Sequence, residues 1–330
     1  MAEIVLGVAA AHTPQLSTGT DMWDDFANRD RKNPRLIGVD GQFHTYDELL
    51  AVAPPGIEAQ LTDEVWTAKH EECQRHIQTL TDLLAKTDPD VVVVIGDDQH
   101  ELFHDDGVPA FACYDGPELF DRPRTQQELD ELSPCLRAAA WAQHADTLQR
   151  YPVDVDFSRH VLTALTLDDF DVMRFTRQHP DRPLGHAFTF IRYRLGVPET
   201  TPMVPLFVNT YFPPNVPSAR RCHDVGRSLA AAIRSWPGDQ RVAVIATGGL
   251  SHFVVDETLD RGVLDAIVSG DTAHLRSIGR DHLRSGNSEI LNWIALAGAL
   301  ESLTPTVLGY VPGYRSPAAT GAGMGFMYWN

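Results

Sequence analysis

Val242–Ala243–Val244–Ile245–Ala246–Thr247–Gly248–Gly249–Leu250–Ser251–His252 is the stretch that decides the fold. Its apolar, β-branched opening has the composition of a central strand buried on both faces. Two glycines then let the backbone turn sharply and let another group approach closely. A single imidazole, His252, follows the turn. Two other stretches share the design. Ile4–Val5–Leu6–Gly7–Val8–Ala9–Ala10–Ala11 ends in His12–Thr13–Pro14, and Val91–Val92–Val93–Val94–Ile95–Gly96 runs into Asp97–Asp98–Gln99–His100. Three buried strands that each deliver ligand-type side chains at their carboxyl ends predict one convergent site.

The composition fits that expectation. A chain of 330 residues, 43% hydrophobic and 22% charged, can bury a sizeable core as one large α/β domain or two ordinary ones. A formal charge of −18 argues against nucleic acid, whose phosphates demand a basic face. A small anionic substrate stays open, because local Arg or His can oppose the global sign. No apolar run is long enough to span a bilayer. The first residues lack a basic segment and read as a strand rather than a signal peptide, so the cytoplasm is the expected location. Cys73, Cys113, Cys135 and Cys222 have no CxxC spacing, so neither a zinc cluster nor a disulfide framework is expected, only small buried hydrophobes.

Between these strands the pattern alternates. Thr62–Asp63 reads as a helix N-cap, with apolar residues at helical spacing from Val65 to Leu84, before the Val91 strand. Further helices are expected over 128–145, 158–165, 218–236, 256–269 and 288–300, and from Leu184 onward. Strands are expected over 109–114, 170–173, 203–208 and 307–311. The tail Gly321–Asn330 is Gly-rich, then aromatic. Alternation of this kind predicts a single elaborated α/β domain over 1–330, with a central mixed sheet flanked by helices. Residues 15–58 read as an irregular polar excursion. Its Trp23, Phe26, Phe43, His44 and Tyr46 either close over a pocket as a lid or only anchor the segment.

Among 14 histidines, His12 and His252 stand out because both follow buried strands, and His186 because it opens a helix beside Gly185. His104, His144, His179, His223 and His282 read as solvated. Two neutral N/O ligands with one carboxylate, leaving positions open, suit a non-haem Fe(II) centre, and zinc accepts similar donors. A separate histidine beside such a centre would be its acid–base group. A Ser251/His252 nucleophile is the weaker alternative, since adjacent loop residues rarely point at each other and Gly-x-Ser-x-Gly is absent.

Several motifs, in order, carry a family resemblance: Ala11–His12–Thr13–Pro14, Gly96–Asp97–Asp98–Gln99, Pro109–Ala110–Phe111, Leu167–Asp168–Asp169–Phe170–Asp171, Gly248–Gly249–Leu250–Ser251–His252 and Gly286–Asn287–Ser288–Glu289. From Met1 to about Leu300 the chain resembles the class III extradiol ring-cleavage dioxygenases, the family of the protocatechuate 4,5-dioxygenase catalytic subunit. It is most similar to the 3-O-methylgallate 3,4-dioxygenase branch.

That resemblance implies iron ligands at His12 and Glu289, a catalytic base at His252, and a substrate-contacting histidine at His186. Glu257 would be an ordinary acid at a helix start. One position departs. Where the protocatechuate enzymes carry their second iron-ligand histidine, the ungapped match places Gln99, as the 3-O-methylgallate-type branch does. His100 lies one step later, facing the other way in a regular strand unless a bulge brings it round. The metal set is therefore His12, Glu289 and either Gln99 or His100. The implied cofactor is Fe(II), and the implied substrates are O2 and a catechol-type aromatic resembling gallate, 3-O-methylgallate or protocatechuate. A homodimer is expected. Two alternatives remain: a metal-dependent hydrolase or lyase on the same scaffold, and a metal-poor homologue without catalysis, motivated by Gln99.

Overall fold

The computed structural model describes residues 1–330. Nine strands form one mixed sheet: β1 (Glu3–Ala10), β2 (Val91–Gly96), β3 (Phe111–Tyr114), β4 (Val172–Phe175), β5 (Met203–Val208), β6 (Arg241–Thr247), β7 (His252–Val254), β8 (Pro305–Tyr314) and β9 (Thr320–Trp329). In space they run β7-β9-β1-β6-β2-β5-β3-β4, with β8 paired to the outside of β9. The middle four, β1, β6, β2 and β5, are mutually parallel. Antiparallel β9 joins on one side and antiparallel β3 on the other.

The unbroken apolar runs have a direct cause. Successive side chains of a strand point to opposite faces, and both faces of this sheet are covered. Val91, Val93 and Ile95, with Val242, Val244 and Ala246, enter one core. There they meet α2 (Val155–Leu167), α4 (Ala219–Ser235), α5 (Glu257–Ser269) and α6 (Ile290–Ala299). Val92, Val94, Ala243 and Ile245 enter the other, against α1 (Asp63–Thr87) and α3 (His186–Tyr193). This is the layered α/β/α arrangement read from the sequence.

Three local expectations are revised. The tail is a ten-residue strand, β9, at the heart of a long hairpin with β8. Its glycines hide the alternation, and they are there because helices approach closely. A Cβ on Gly323 would lie 1.9 Å from Oδ2 of Asp260 on α5. The excursion over 15–58 is not irregular. It folds as a helix Trp23–Asp30, a two-residue strand pair and a helix Tyr46–Ala51 with a Thr45/Glu48 capping box. Trp23 and Phe26 are buried, and a buried bidentate pair from Arg315 to Asp30 at 2.7 and 2.9 Å ties it down. The helix expected over 128–145 is broken into Gln126–Glu131 and Pro134–Ala139, because Pro134 cannot continue a helix but can start one.

All four cysteines are buried and unpaired. His144 and His223, read as solvated, are also buried. His144 is held by Asp121, at 2.6 Å from Nδ1 to Oδ1, and His223 packs in α4 beside Glu301. No helix is long and apolar enough to cross a membrane.

Candidate metal centre

The carboxyl ends of β1, β6 and β2 lie side by side because the three strands are parallel neighbours in register. Ala10 pairs with Thr247, and Ala246 pairs with Ile95. The residues just beyond those ends therefore meet, as binding residues do outside the carboxyl edge of an open α/β sheet. A cavity of about 390 Å³ opens there, lined by His12, Gln99, Glu101, His186, His252 and Glu289 among others.

Glu289 is the hub. It ends a short 3₁₀ turn, Ser285–Glu289, immediately before α6, and only 3% of it is exposed. Its Oε2 accepts the backbone N–H of Gly249 at 2.7 Å and stands 3.1 Å from Nε2 of His12 and 3.4 Å from Nε2 of His252. Its Oε1 accepts from the side-chain amide of Gln99 at 3.0 Å. Burial pushes this carboxyl up, but His252 and His12 outweigh burial and hold it well below the usual carboxylate range.

The proton on His12 can be placed by hydrogen-bond accounting. Thr247 has one hydroxyl proton, and it donates that proton to the carbonyl of Ala187 at 2.9 Å. Nδ1 of His12, 3.1 Å from the same oxygen, must then be the donor to it. In the neutral ring this makes Nε2 the lone-pair nitrogen. That atom is buried, has no hydrogen-bond partner, and faces a carboxylate oxygen at 3.1 Å. Two buried lone-pair donors turned toward each other are what a cation fits between.

His252 and His186 are oriented in the same way. Nδ1 of His252 donates to the carbonyl of Leu250 at 3.0 Å, and its backbone N–H donates to Oδ1 of Asn287 at 2.6 Å. Gly249 leaves room for the ring, since a Cβ there would lie 2.1 Å from Cε1 of His252. His186 opens α3 and hydrogen-bonds through Nδ1 to Oε1 of Glu101. Its ring centroid lies 4.5 Å from that of His12. Burial works against a charge on His186, but Glu101 overcomes it and raises the ring to about 10. Each of the three imidazoles is thus anchored through Nδ1.

The structure brings His12, Gln99, Glu289, His252 and His186 together, and His100 lines the same cavity with its ring engaged elsewhere. His100 has φ +64°, so its backbone has turned away from the strand direction. Its ring stacks on Phe212 at 3.7 Å, and Nε2 lies 3.6 Å from Asp105. Gln99 reaches the site through its amide nitrogen, which also lies 3.3 Å from Oδ2 of Asp97. As placed, Gln99 donates to two carboxylates rather than offering its oxygen.

Two acids of the centre were missed in sequence. Asp97 is fully buried, accepts from Nδ2 of Asn292 at 2.9 Å, and groups with His12 and His186 so that donor atoms lie within 4.8 Å of one another. Burial and then the charge of Glu289 push its carboxyl up. Two buried carboxylates sharing one amide also fit a positive ion nearby. Glu101 was missed because its partner lies 85 residues away. The signal available was a cluster of four acids in Asp97–Asp98–Gln99–His100–Glu101 and Asp105 directly after a buried strand. Ser251 is no partner for His252, since its hydroxyl donates to Oδ2 of Asp260 at 2.6 Å.

Residues 57–325 match the family model described as the catalytic LigB subunit of aromatic ring-opening dioxygenase. The chain is similar to a gallate dioxygenase of Pseudomonas putida, 34% identical over 158 residues, which cover 44% of this chain and 45% of that one. It is also similar to a 2,3-dihydroxyphenylpropionate/2,3-dihydroxicinnamic acid 1,2-dioxygenase of Photorhabdus laumondii, 23% identical over 188 residues, 55% of this chain and 50% of that one. These matches span about half the length of either relative.

Proposed function

The chain belongs to the family of catalytic LigB subunits of aromatic ring-opening dioxygenases, and from that membership we propose that it is a non-haem Fe(II)-dependent extradiol dioxygenase acting on a catechol-type aromatic and O2. The observation that carries the reading is the buried, unpartnered Nε2 of His12 turned toward Oε2 of Glu289.

In this reading His12 and Glu289 hold the metal, and Asp97 supplies the third donor. Gln99 donates its amide to both carboxylates and fixes their spacing. This changes the expected role of Gln99 from ligand to the group that holds the ligands, and it leaves His100 out. His186, whose Nδ1 is taken by Glu101, is assigned to the substrate rather than to the metal. Imidazole with carboxylates and open positions suits a redox-active divalent metal. When bound, Fe(II) supplies the coordination and electron transfer that join the catechol to O2.

The protein's own groups supply the proton chemistry. His252, donating through Nδ1 to Leu250, keeps Nε2 free to take the proton of a ring hydroxyl. His186, held as a donor by Glu101, hydrogen-bonds the substrate oxygen where negative charge develops. His186 is buried and His252 half-buried, so both rings are partly shielded from solvent.

The test is oxygen uptake by protein loaded with Fe(II) under anaerobic conditions and then given gallate, 3-O-methylgallate or protocatechuate. Uptake with at least one of them is expected, falling roughly 10²- to 10⁴-fold in His252→Ala. Protein shown to hold iron that consumes no O2 with any catechol would remove this reading. Hydrolysis without O2 consumption would favour the hydrolase.

A further inference from the structure

A hollow of about 350 Å³ lies away from the metal cavity and shares no lining residue with it. It sits where α5 and α6 end, with further walls from α4, β8 and β9. α6 starts beside Glu289 and has 10 residues, so its far end is about 15 Å from that acid. Ile267, Leu275, Ala297, Leu300, Leu303 and Trp329 make the hollow largely apolar. One imidazole interrupts these walls: His223 of α4, only 1% exposed.

The hydrogen on His223 can be placed. Nδ1 lies 3.2 Å from Nη1 of Arg276, and a guanidinium only donates, so Nδ1 is the acceptor. Burial outweighs the pull of Glu301 and keeps the ring below its ordinary histidine value, so it is neutral at pH 7 and Nε2 carries the hydrogen. That N–H is buried and has no hydrogen-bond partner. Oε1 of Glu301 stands 3.4 Å away, out of hydrogen-bond alignment, and Arg227 lies 3.3 Å from the other carboxylate oxygen. A free donor beside a carboxylate oxygen suits one group above others, a hydroxyl, which accepts from the first and donates to the second. The carbonyl ends of α5 and α6, together with Glu301, disfavour an anion here, and Arg276 is already paired with Asp224.

We propose that this hollow binds a small neutral aromatic molecule bearing one hydroxyl, of the phenol type. Its oxygen accepts from Nε2 of His223, its proton goes to Oε1 of Glu301, and its ring packs among the apolar walls. The indole of Trp329 gives that ring an aromatic neighbour. A ring of the same size without the hydroxyl leaves the buried N–H of His223 unpaired, which costs free energy. The site is separate from the ring-opening chemistry and does not depend on it.

The experiment follows the ¹⁹F resonance of Trp329 in the whole chain labelled with 5-fluorotryptophan, assigned with Trp329→Phe, while phenol, toluene or benzoate is added. Water releases toluene more readily than phenol, so apolar walls without a polar partner would rank toluene first. Phenol is expected to bind roughly 10-fold tighter than toluene, and benzoate to leave the resonance unmoved. In His223→Phe the order of phenol and toluene should reverse. Glu301→Ala should weaken phenol roughly 3- to 10-fold and leave toluene unchanged. Ala297→Phe, which fills the hollow, should abolish binding of both. A resonance that phenol does not move, toluene or benzoate binding as tightly as phenol, or an unchanged order in His223→Phe of native melting temperature would overturn the proposal. If His223→Phe does not fold, Glu301→Ala, altered at a partly exposed side chain, decides in its place.

Discussion

The side-chain amide of Gln99 donates to Oε1 of Glu289 at 3.0 Å, joining residues 190 positions apart across the mouth of the sheet. The same nitrogen lies 3.3 Å from Oδ2 of Asp97, so one neutral group spans two buried acids. An amide used this way keeps carboxylates apart and oriented without adding charge.

This arrangement separates three candidates for the third metal donor. Asp97→Asn should lose most Fe(II) on desalting, because it removes a charged oxygen from the centre. Gln99→Ala should weaken binding by roughly 10- to 100-fold, as the loss of an orienting partner does. His100→Ala, which breaks the stack on Phe212, the packing on His104 and the approach to Asp105, should retain stoichiometric metal. Metal analysis after anaerobic gel filtration reads all three. Loss confined to His100→Ala would reverse the assignment.

Thr247→Val tests the proton on His12. The variant keeps shape but removes the oxygen that accepts from Nδ1. The ring then loses the bond that holds Nε2 toward Glu289, and Fe(II) affinity should fall roughly 10- to 100-fold with the fold intact. Unchanged affinity would mean that this hydroxyl does not set the tautomer.

Glu101→Gln keeps a hydrogen-bonding side chain beside His186 but removes its charge. The expected outcome is a fall in kcat of roughly 10²-fold at full iron content, with a smaller change in KM. A loss of iron as large as the loss of rate would instead place His186 among the ligands.

Asp260 gives a pH signature away from the metal. Burial raises its carboxyl to about 7, against the opposing bonds from Ser251 and Tyr310. Between the ordinary value of 3.8 and about 7 the unfolded chain has released this proton while the folded one retains it. Stability from this group is therefore full at low pH and is lost as pH rises through that window. The melting temperature of wild type relative to Asp260→Asn should be higher at pH 5 than at pH 8. A difference independent of pH would contradict the raised value.

Much of this was legible in the chain. The Val91, Val242 and Ile4 runs are buried on both faces, so their composition alone marks central strands, and their carboxyl ends must then lie together. That logic singled out His12 and His252. Glu289 came only through the family resemblance, since by spacing it is an acid at a helix start. Asp97 and Glu101 were unreadable as site residues because their roles depend on partners brought from α6 and α3. β9 was hidden by glycines whose purpose is the close approach of α5, and His100 by a backbone turn that no propensity announces.

One measurement bears most directly on the central claim that this centre joins O2 to a catechol. Fe(II)-loaded protein mixed anaerobically with gallate is exposed to ¹⁸O₂, and the product is weighed by mass spectrometry. The account predicts a ring-opened acid carrying label from both atoms of O2, formed by wild type and nearly absent with His12→Ala and His252→Ala. Unaltered gallate from iron-loaded wild type, with protocatechuate and 3-O-methylgallate equally untouched, would contradict it.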